Sequence, residues 1–449
     1  MSKNNIYYVC SNPDCDKEPS KKWFGICPKC KSPSIEKEEE NILLKGEISK
    51  KNTFKNQKNS VKIKDINIED ILRIKTGIEQ IDNVFGANNN GKYKGIAQGS
   101  INLLSGKPGV GKSTLLLSII NNIENSGIKS LYITGEESNK QIKDRYERLC
   151  LDSNFSIIAE TNFLEIKDEI ENHDFVIIDS INTLFIEGVG VIGGISQINE
   201  IINNILNISK KKNITFLIIA QINGQGDVAG PKKLEHMVDA VFTFDDFDDN
   251  NIYKIITSEK NRFGKVNETA IFEMTEKGLI EIKDPSMLFL EENANFGTAL
   301  SLIFKGNRPI LIEIESLVNK TQSENSFTAA IGIDQKKVLQ ITAVLNKYMK
   351  WSNYQKNIFV NVVGGINLTK GTPQTQVDLA ILASILSSDF ELNISKYIFI
   401  GEITLSGKIR KVAKEKILIE HINTLLNDKI IISNSTGYKN VEDLFKIFK

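Results

Sequence analysis

The sequence predicts an α/β protein of several domains, built around a parallel sheet that carries a phosphate-binding loop. Three observations predict it. Runs that are apolar throughout, such as Ile101–Leu104, Ser130–Thr134, Phe175–Ile178 and Ile214–Ala220, alternate with helical stretches between about 73 and 283. Unbroken apolar runs suit strands buried on both faces of a parallel sheet. Residues 106–113 read Gly-Lys-Pro-Gly-Val-Gly-Lys-Ser directly after one such run, and four of the five cysteines fall within the first 30 residues.

A chain of 449 residues is too long for one core. Four regions separate: 1–35, 36–72, 73–283 and 284–449. Lys+Arg and Asp+Glu are both 56, so the net charge is zero. That balance excludes a histone-like polyelectrolyte but leaves room for a local basic stripe. The opening residues hold no apolar leader, and no run of about 18 apolar residues occurs. Neither secretion nor a membrane span is expected, and the chain is assigned to the cytoplasm.

Taken in order, the first region holds Cys10-x₄-Cys15 and Cys27-x₂-Cys30, separated by eleven residues. In a reducing cytosol such crowding points to metal rather than disulfides. Four thiolates at this spacing can surround Zn²⁺, and so small a module has too little core to fold without it. Cys150, alone after a helix, reads as an ordinary buried thiol. The second region carries seven Lys between Asn41 and Lys64 against one acid, Glu47. It reads as a solvated linker, with a DNA-touching tether as the alternative.

The third region carries the nucleotide motifs. Gly106, Lys107, Pro108, Gly109, Val110, Gly111, Lys112 and Ser113 match GxxxxGK[ST], between an apolar strand and a helix beginning near Thr114. The loop's exposed N–H groups suit ATP phosphates at a helix N-terminus. Lys112 is expected to neutralise β/γ-phosphate charge and Ser113 to ligate Mg²⁺. Asp179 ends the run Phe175–Ile178 and is the expected Walker B carboxylate in the Mg²⁺ shell. Glu136 and Glu137 follow the run Ser130–Thr134, where a carboxylate can activate the attacking water; either can be the base, and an acidic helix start is the bland alternative. Gln221 ends its strand and is either a γ-phosphate sensor or a polar strand end.

Two further segments carry a resemblance. Lys260-Asn-Arg-Phe-Gly264 and Ala229-Gly-Pro-Lys-Lys-Leu-Glu-His-Met-Val-Asp239, with Thr76-Gly77, Asp82 and Asp179-Ser180, resemble the RadA (Sms) family of bacterial DNA-repair proteins. The similarity covers nearly the whole chain in the order zinc motif, RecA-like core, Lon-like tail. It implies an α/β RecA-like P-loop ATPase core with a small zinc-binding module and a Lon protease-like C-terminal domain. It further implies a homo-hexameric ring on single-stranded and branched DNA, working beside a RecA-type recombinase in strand exchange and branch migration. Lys260 and Arg262 would then act at ATP in the subunit interface. The sequence departs from the family after the fourth core strand, where Gln221-Ile-Asn-Gly-Gln-Gly226 replaces the usual His and basic run. Lys232 and Lys233 are the candidate DNA-contacting substitutes.

The last region holds strands near Ala299–Phe304, Ile310–Ile314, Ile358–Asn361 and Tyr397–Ile400. Gly306-Asn-Arg-Pro309, Asn361-Val-Val-Gly-Gly365 and Gly401-Glu-Ile-Thr-Leu-Ser-Gly407 resemble the Lon protease domain. Lon-type proteolysis needs a Ser nucleophile activated by Lys, but Gln376 and Val377 stand at the expected place, so protease activity is not expected. Lys408, Arg410, Lys411, Lys414 and Lys416 form a basic surface or simply a solvated face. Two other functions stand beside a DNA-dependent ATPase: an ATP-dependent protease, and an ATP-switched platform resembling the clock ATPase KaiC.

Overall fold

The computed structural model describes residues 6–10, 23, 25–27, 30, 34–38, 72–87, 94–221, 232–248, 250–283, 295–323, 326–369 and 374–448. Chain contacts divide it into two units, residues 1–69 and 70–449. In the first unit β1 (Ile6–Cys10) pairs antiparallel with β2 (Ser34–Glu38), so Cys10 lies opposite Ser34. Cys27 is buried and Cys30 half-buried. Cys15 lies outside the described residues.

The second unit opens with β3 (Arg73–Ile74), α1 (Glu79–Phe85) and β4 (Ile96–Ala97). Thr76 fixes the start of α1, its N–H and hydroxyl both donating to Asp82 Oδ1 at 2.8 Å. The core strands follow: β5 (Ile101–Gly106), β6 (Ser130–Thr134), β7 (Ser156–Ala159), β8 (Phe175–Asp179) and β9 (Thr215–Gln221). Between them lie α2 (Lys112–Asn125), α3 (Asn139–Arg148), α4 (Phe163–Ile170) and α5 (Ile195–Lys212). Every residue of β5, β6 and β8 is buried, as strands covered on both faces must be. Alternate side chains serve the two faces. Leu104, Tyr132 and Ile177 pack with Leu115 and Ile119 of α2, whereas Leu103, Ile133 and Ile178 pack with Ile201 and Ile205 of α5.

After α6 (Lys232–Met237) come β10 (Ala240–Asp246), β11 (Tyr253–Asn261), β12 (Thr269–Thr275) and β13 (Gly278–Glu281). The sheet order is β13-β12-β11-β10-β5-β9-β8-β6-β7. The six strands from β10 to β7 are parallel; β11, β12 and β13 form an antiparallel meander. The expected βα pattern to residue 283 therefore stops near 240. The meander strands mix buried and open positions, so they offer no unbroken apolar run.

The C-terminal sheet has the order β16-β17-β15-β14-β18-β21. Its strands are β14 (Thr298–Lys305), β15 (Arg308–Lys320), β16 (Thr328–Ile331), β17 (Lys356–Val362), β18 (Tyr397–Ile400) and β21 (Ile430–Ser433). A separate ribbon pairs β19 (Glu402–Ile403) with β20 (Ile409–Arg410). The helices are α7 (Gln335–Met349), α8 (Asp378–Phe390), α9 (Glu415–Leu425) and α10 (Phe445–Phe448). β15 runs well past the expected Ile314 because its far half alternates open and covered residues. The core of this sheet continues without a break onto Phe247, Ile255 and Ile271 of the first sheet.

Gln376 and Val377 are both buried, and Gln376 Oε1 accepts from Phe304 N at 3.1 Å. The amide at the expected nucleophile position thus pins β14. Beside it, Asp378 is wholly buried, with Oδ2 on Lys337 Nζ at 2.8 Å and Ile403 N at 3.0 Å. Burial pushes its carboxyl up to about 6, against the pull of Lys337 and the Ile403 N–H. The folded state then binds this proton more tightly than the unfolded chain. The resulting stability is complete below the unfolded value of 3.8 and is lost as pH rises through about 6. Urea melts should show the unaltered chain gaining about 1 kcal/mol over Asp378→Asn between pH 7 and pH 5. A flat difference would contradict a protonatable buried Asp378.

Candidate nucleotide site

Gly106 closes β5 beside β10, where a Cβ would lie 2.1 Å from the Phe244 carbonyl oxygen, so no side chain fits. The loop then turns into α2, which begins at Lys112. Lys112 Nζ donates to the carbonyls of Gly106 and Lys107, both at 2.8 Å. Burial lowers its pKa, while Asp179 and Glu136 pull the other way. An ammonium held only by carbonyl oxygens is set to exchange them for phosphate oxygens, which interact more strongly.

Asp179 ends β8, an interior strand of the parallel part of the sheet. Its Oδ2 accepts from Ser113 Oγ and from Tyr132 Oη, each at 2.7 Å. Burial raises its pKa, and the two hydroxyl donors oppose that. A hydroxyl and a carboxylate at hydrogen-bond distance form a hard-oxygen donor set that fits Mg²⁺.

The two adjacent glutamates have different partners. Glu137 is held by Arg145, with Oε1 and Oε2 each 2.7 Å from a guanidinium nitrogen. Glu136 Oε1 accepts from Ser180 Oγ at 2.6 Å, one residue beyond Asp179. Both glutamates line a cavity of about 350 Å³ with Lys112, Ser113, Asp179 and Arg148. Gln221 pairs with Gly106 in the β5–β9 register, so its backbone adjoins the loop. Its side chain, and those of Lys232 and Lys233, lie outside the described residues.

Lys260 and Arg262 are elsewhere. Lys260 Nζ donates to the carbonyls of Glu235 at 2.6 Å and Val238 at 2.7 Å, closing the end of α6. Arg262 NH1 lies 3.2 Å from Asp239 Oδ1, and Asp239 N donates to Ile101 O at 2.9 Å. These contacts sit at the start of β5, whereas the phosphate loop follows its end. The six residues of β5 span about 17 Å.

A parallel-cored sheet with this loop, a central carboxylate and an antiparallel extension defines a P-loop ATPase of the RecA-like class. Residues 74–174 match the ATPase family described as KaiC. The chain is 37% identical over 429 residues to DNA repair protein RadA of Streptococcus pyogenes, covering 92% of this chain and 89% of that one. It is 37% identical over 446 residues to DNA repair protein RadA of Rickettsia bellii, covering 97% and 95%. A crystal structure of the RadB recombinase aligns with 47% of this chain and 100% of its own, at 22% identity and a TM-score of 0.36. The chain belongs to the RadA family of DNA repair proteins.

Sequence reasoning missed Tyr132 and Arg145, and it named Ser180 only as part of the Asp179-Ser180 motif, without its contact to Glu136. Tyr132 lies inside an apolar run, and only the register of β6 against β8, Thr134 opposite Asp179, brings its hydroxyl to the carboxylate. Arg145 lies eight residues after Glu137, which precedes α3, so no i,i+4 helical spacing announced the pair. Cys150 corrects the expectation of a buried thiol: it is exposed, directly after the end of α3, while Leu149 takes the covered position. His236 is exposed as well, and its carbonyl lies 3.5 Å from Arg262 NH2.

Proposed function

We propose that this chain is a DNA-dependent ATPase that forms a ring on single-stranded DNA and promotes branch migration and strand exchange in recombination and repair. The observation that carries it is the position of Lys260 and Arg262. They stand a strand's length from their own phosphate loop, so a role at ATP requires a neighbour's triphosphate. Repeated head-to-tail contact of that kind closes a ring when its rotation closes, and six copies are the number the family resemblance implies. The relatives named DNA repair proteins support DNA as the partner, with a RecA-type recombinase beside it.

In this reading the loop N–H groups and Lys112 hold the β- and γ-phosphates. Mg²⁺, held through Ser113 and Asp179, would neutralise charge on the phosphates. Glu136, steadied by Ser180, takes a proton from the water as its oxygen attacks the γ-phosphorus and the bond to the β–γ bridging oxygen breaks. Arg145 keeps Glu137 turned away from that water, leaving Glu136 as the base. Gln221 senses the γ-phosphate from the end of β9. Lys232 and Lys233 are the proposed DNA contacts.

The four thiols of Cys10, Cys15, Cys27 and Cys30 are proposed to hold Zn²⁺. Cys27 is fully buried, as a ligand enclosed by a metal-organised module would be. The C-terminal region is proposed as a Lon-like scaffold without proteolysis. Branch migration on a three-stranded DNA substrate tests the function. Extension of the joint is expected to need ATP and to stop with Glu136→Gln; joint extension by that variant at the unaltered rate would exclude a motor.

A further inference from the structure

We propose that a basic cleft at the sheet end remote from the phosphate loop binds the backbone of a single DNA strand, with Arg73 as its half-buried anchor. The cleft encloses about 810 Å³, and its lining carries Arg73, Lys265 and Arg308 against one carboxylate, Glu268, while Arg262, also in the lining, is paired with Asp239. It is built where three segments meet: the end of α1, the turn after β11 and the β14–β15 hairpin.

Arg73 is the unusual member. Its guanidinium donates to the carbonyls of Gly95 at 3.2 Å, Ala87 at 3.1 Å and Phe263 at 2.7 Å. Nε is buried without a partner, and among the described residues no carboxylate pairs with this side chain. A cation withdrawn from water and answered only by neutral carbonyls is costly, and an incoming phosphate offsets that cost. Arg308 donates to Gln80 Oε1 and to the Lys283 carbonyl, which hold it in the cleft wall. The Phe263 ring lies 5.9 Å from the Arg73 guanidinium and offers an apolar surface beside the charge, as single-strand sites use for bases.

The cleft is held in shape from within. Gly264 and Gly86 approach so closely that a Cβ on Gly264 would lie 2.9 Å from the Gly86 Cα. Asn261 Nδ2 donates to the Phe85 carbonyl at 2.9 Å, tying the turn to the end of α1. A further cation reaches the cleft wall: Lys414 Nζ donates to Asn307 Oδ1 at 2.8 Å. Cations spread over a cleft of about 810 Å³ favour a polymer over a lone anion. The identity of the polymer rests on the DNA-dependent ATPase reading; the phosphate chemistry does not.

The test uses the full chain with Lys265→Ala/Arg308→Ala and, separately, Arg73→Gln, each checked for folding by thermal melting. Anisotropy with a labelled oligothymidylate across a salt series should show weaker binding. The slope of log K against log salt should fall by about 0.7 for each phosphate contact removed. Unaltered DNA binding with reduced DNA-free turnover would keep the phosphate chemistry but move its source to a neighbour's triphosphate, overturning the DNA assignment. Inorganic tripolyphosphate added to Lys112→Ala chain, whose own loop is silenced, should still raise the melting temperature. Losing that rise in the cleft variants while DNA fails to bind the unaltered protein would keep a phosphate site but overturn the DNA assignment. No response to either probe, or responses identical in the Lys265→Ala/Arg308→Ala chain, would overturn the proposal.

Discussion

Glu136→Gln is expected to lower kcat for ATP hydrolysis by about 10²–10⁴-fold while ATP binding is retained. Glutamine keeps the size and one acceptor oxygen, so the contact from Ser180 survives. What is lost is the capacity to take the water's proton. Glu137→Gln acts by another route. It breaks a two-pronged ion pair with Arg145 whose side chains are 29% and 22% exposed, and frees a cation at the cavity wall. That should cost about tenfold or less in turnover. Single-turnover hydrolysis with both variants separates the two roles. A larger loss in Glu137→Gln than in Glu136→Gln would reverse the assignment and make Arg145 the group that orients the base.

Arg262→Ala is expected to lower turnover by about 10³–10⁵-fold if its guanidinium stabilises a neighbour's transferring phosphoryl group. Lys112→Ala should be equally inactive for a different reason, since it empties the loop of its cation. Coexpression of the two inactive chains then distinguishes action in trans from action in cis. An Arg262→Ala subunit keeps a sound phosphate loop, and a Lys112→Ala neighbour keeps a sound guanidinium, so their junction is complete. Random mixing should restore about a quarter of the interfaces. Arg262 suits this test better than Lys260, whose ammonium closes the end of α6 and whose loss would disturb that helix. No recovery in proven mixed assemblies would confine Arg262 to its contact with Asp239.

The parallel strands were legible because burial on both faces leaves unbroken apolar runs, and β6 matches its expected limits residue for residue. The meander from β11 to β13 was hidden because its strands are only partly covered and so offer no unbroken apolar run. The phosphate loop and Asp179 could be read from local order alone, since a strand, a loop and a helix in succession define the chemistry. The division of labour between Glu136 and Glu137 could not, because it depends on which side chain Arg145 and Ser180 reach across space. Nor does the spacing from Lys112 to Arg262 say which end of the sheet Arg262 occupies. That follows from β11 running back antiparallel along β10, which returns the chain to the start of β5.

The most direct measurement is steady-state ATP turnover with and without single-stranded DNA at moderate salt, with Lys112→Ala as the blank. A DNA-dependent ATPase predicts clear stimulation by DNA that weakens as salt rises, because phosphate contacts are lost to counterions. Turnover that is flat with DNA, yet abolished by Lys112→Ala, would contradict the motor and leave an ATP-switched platform.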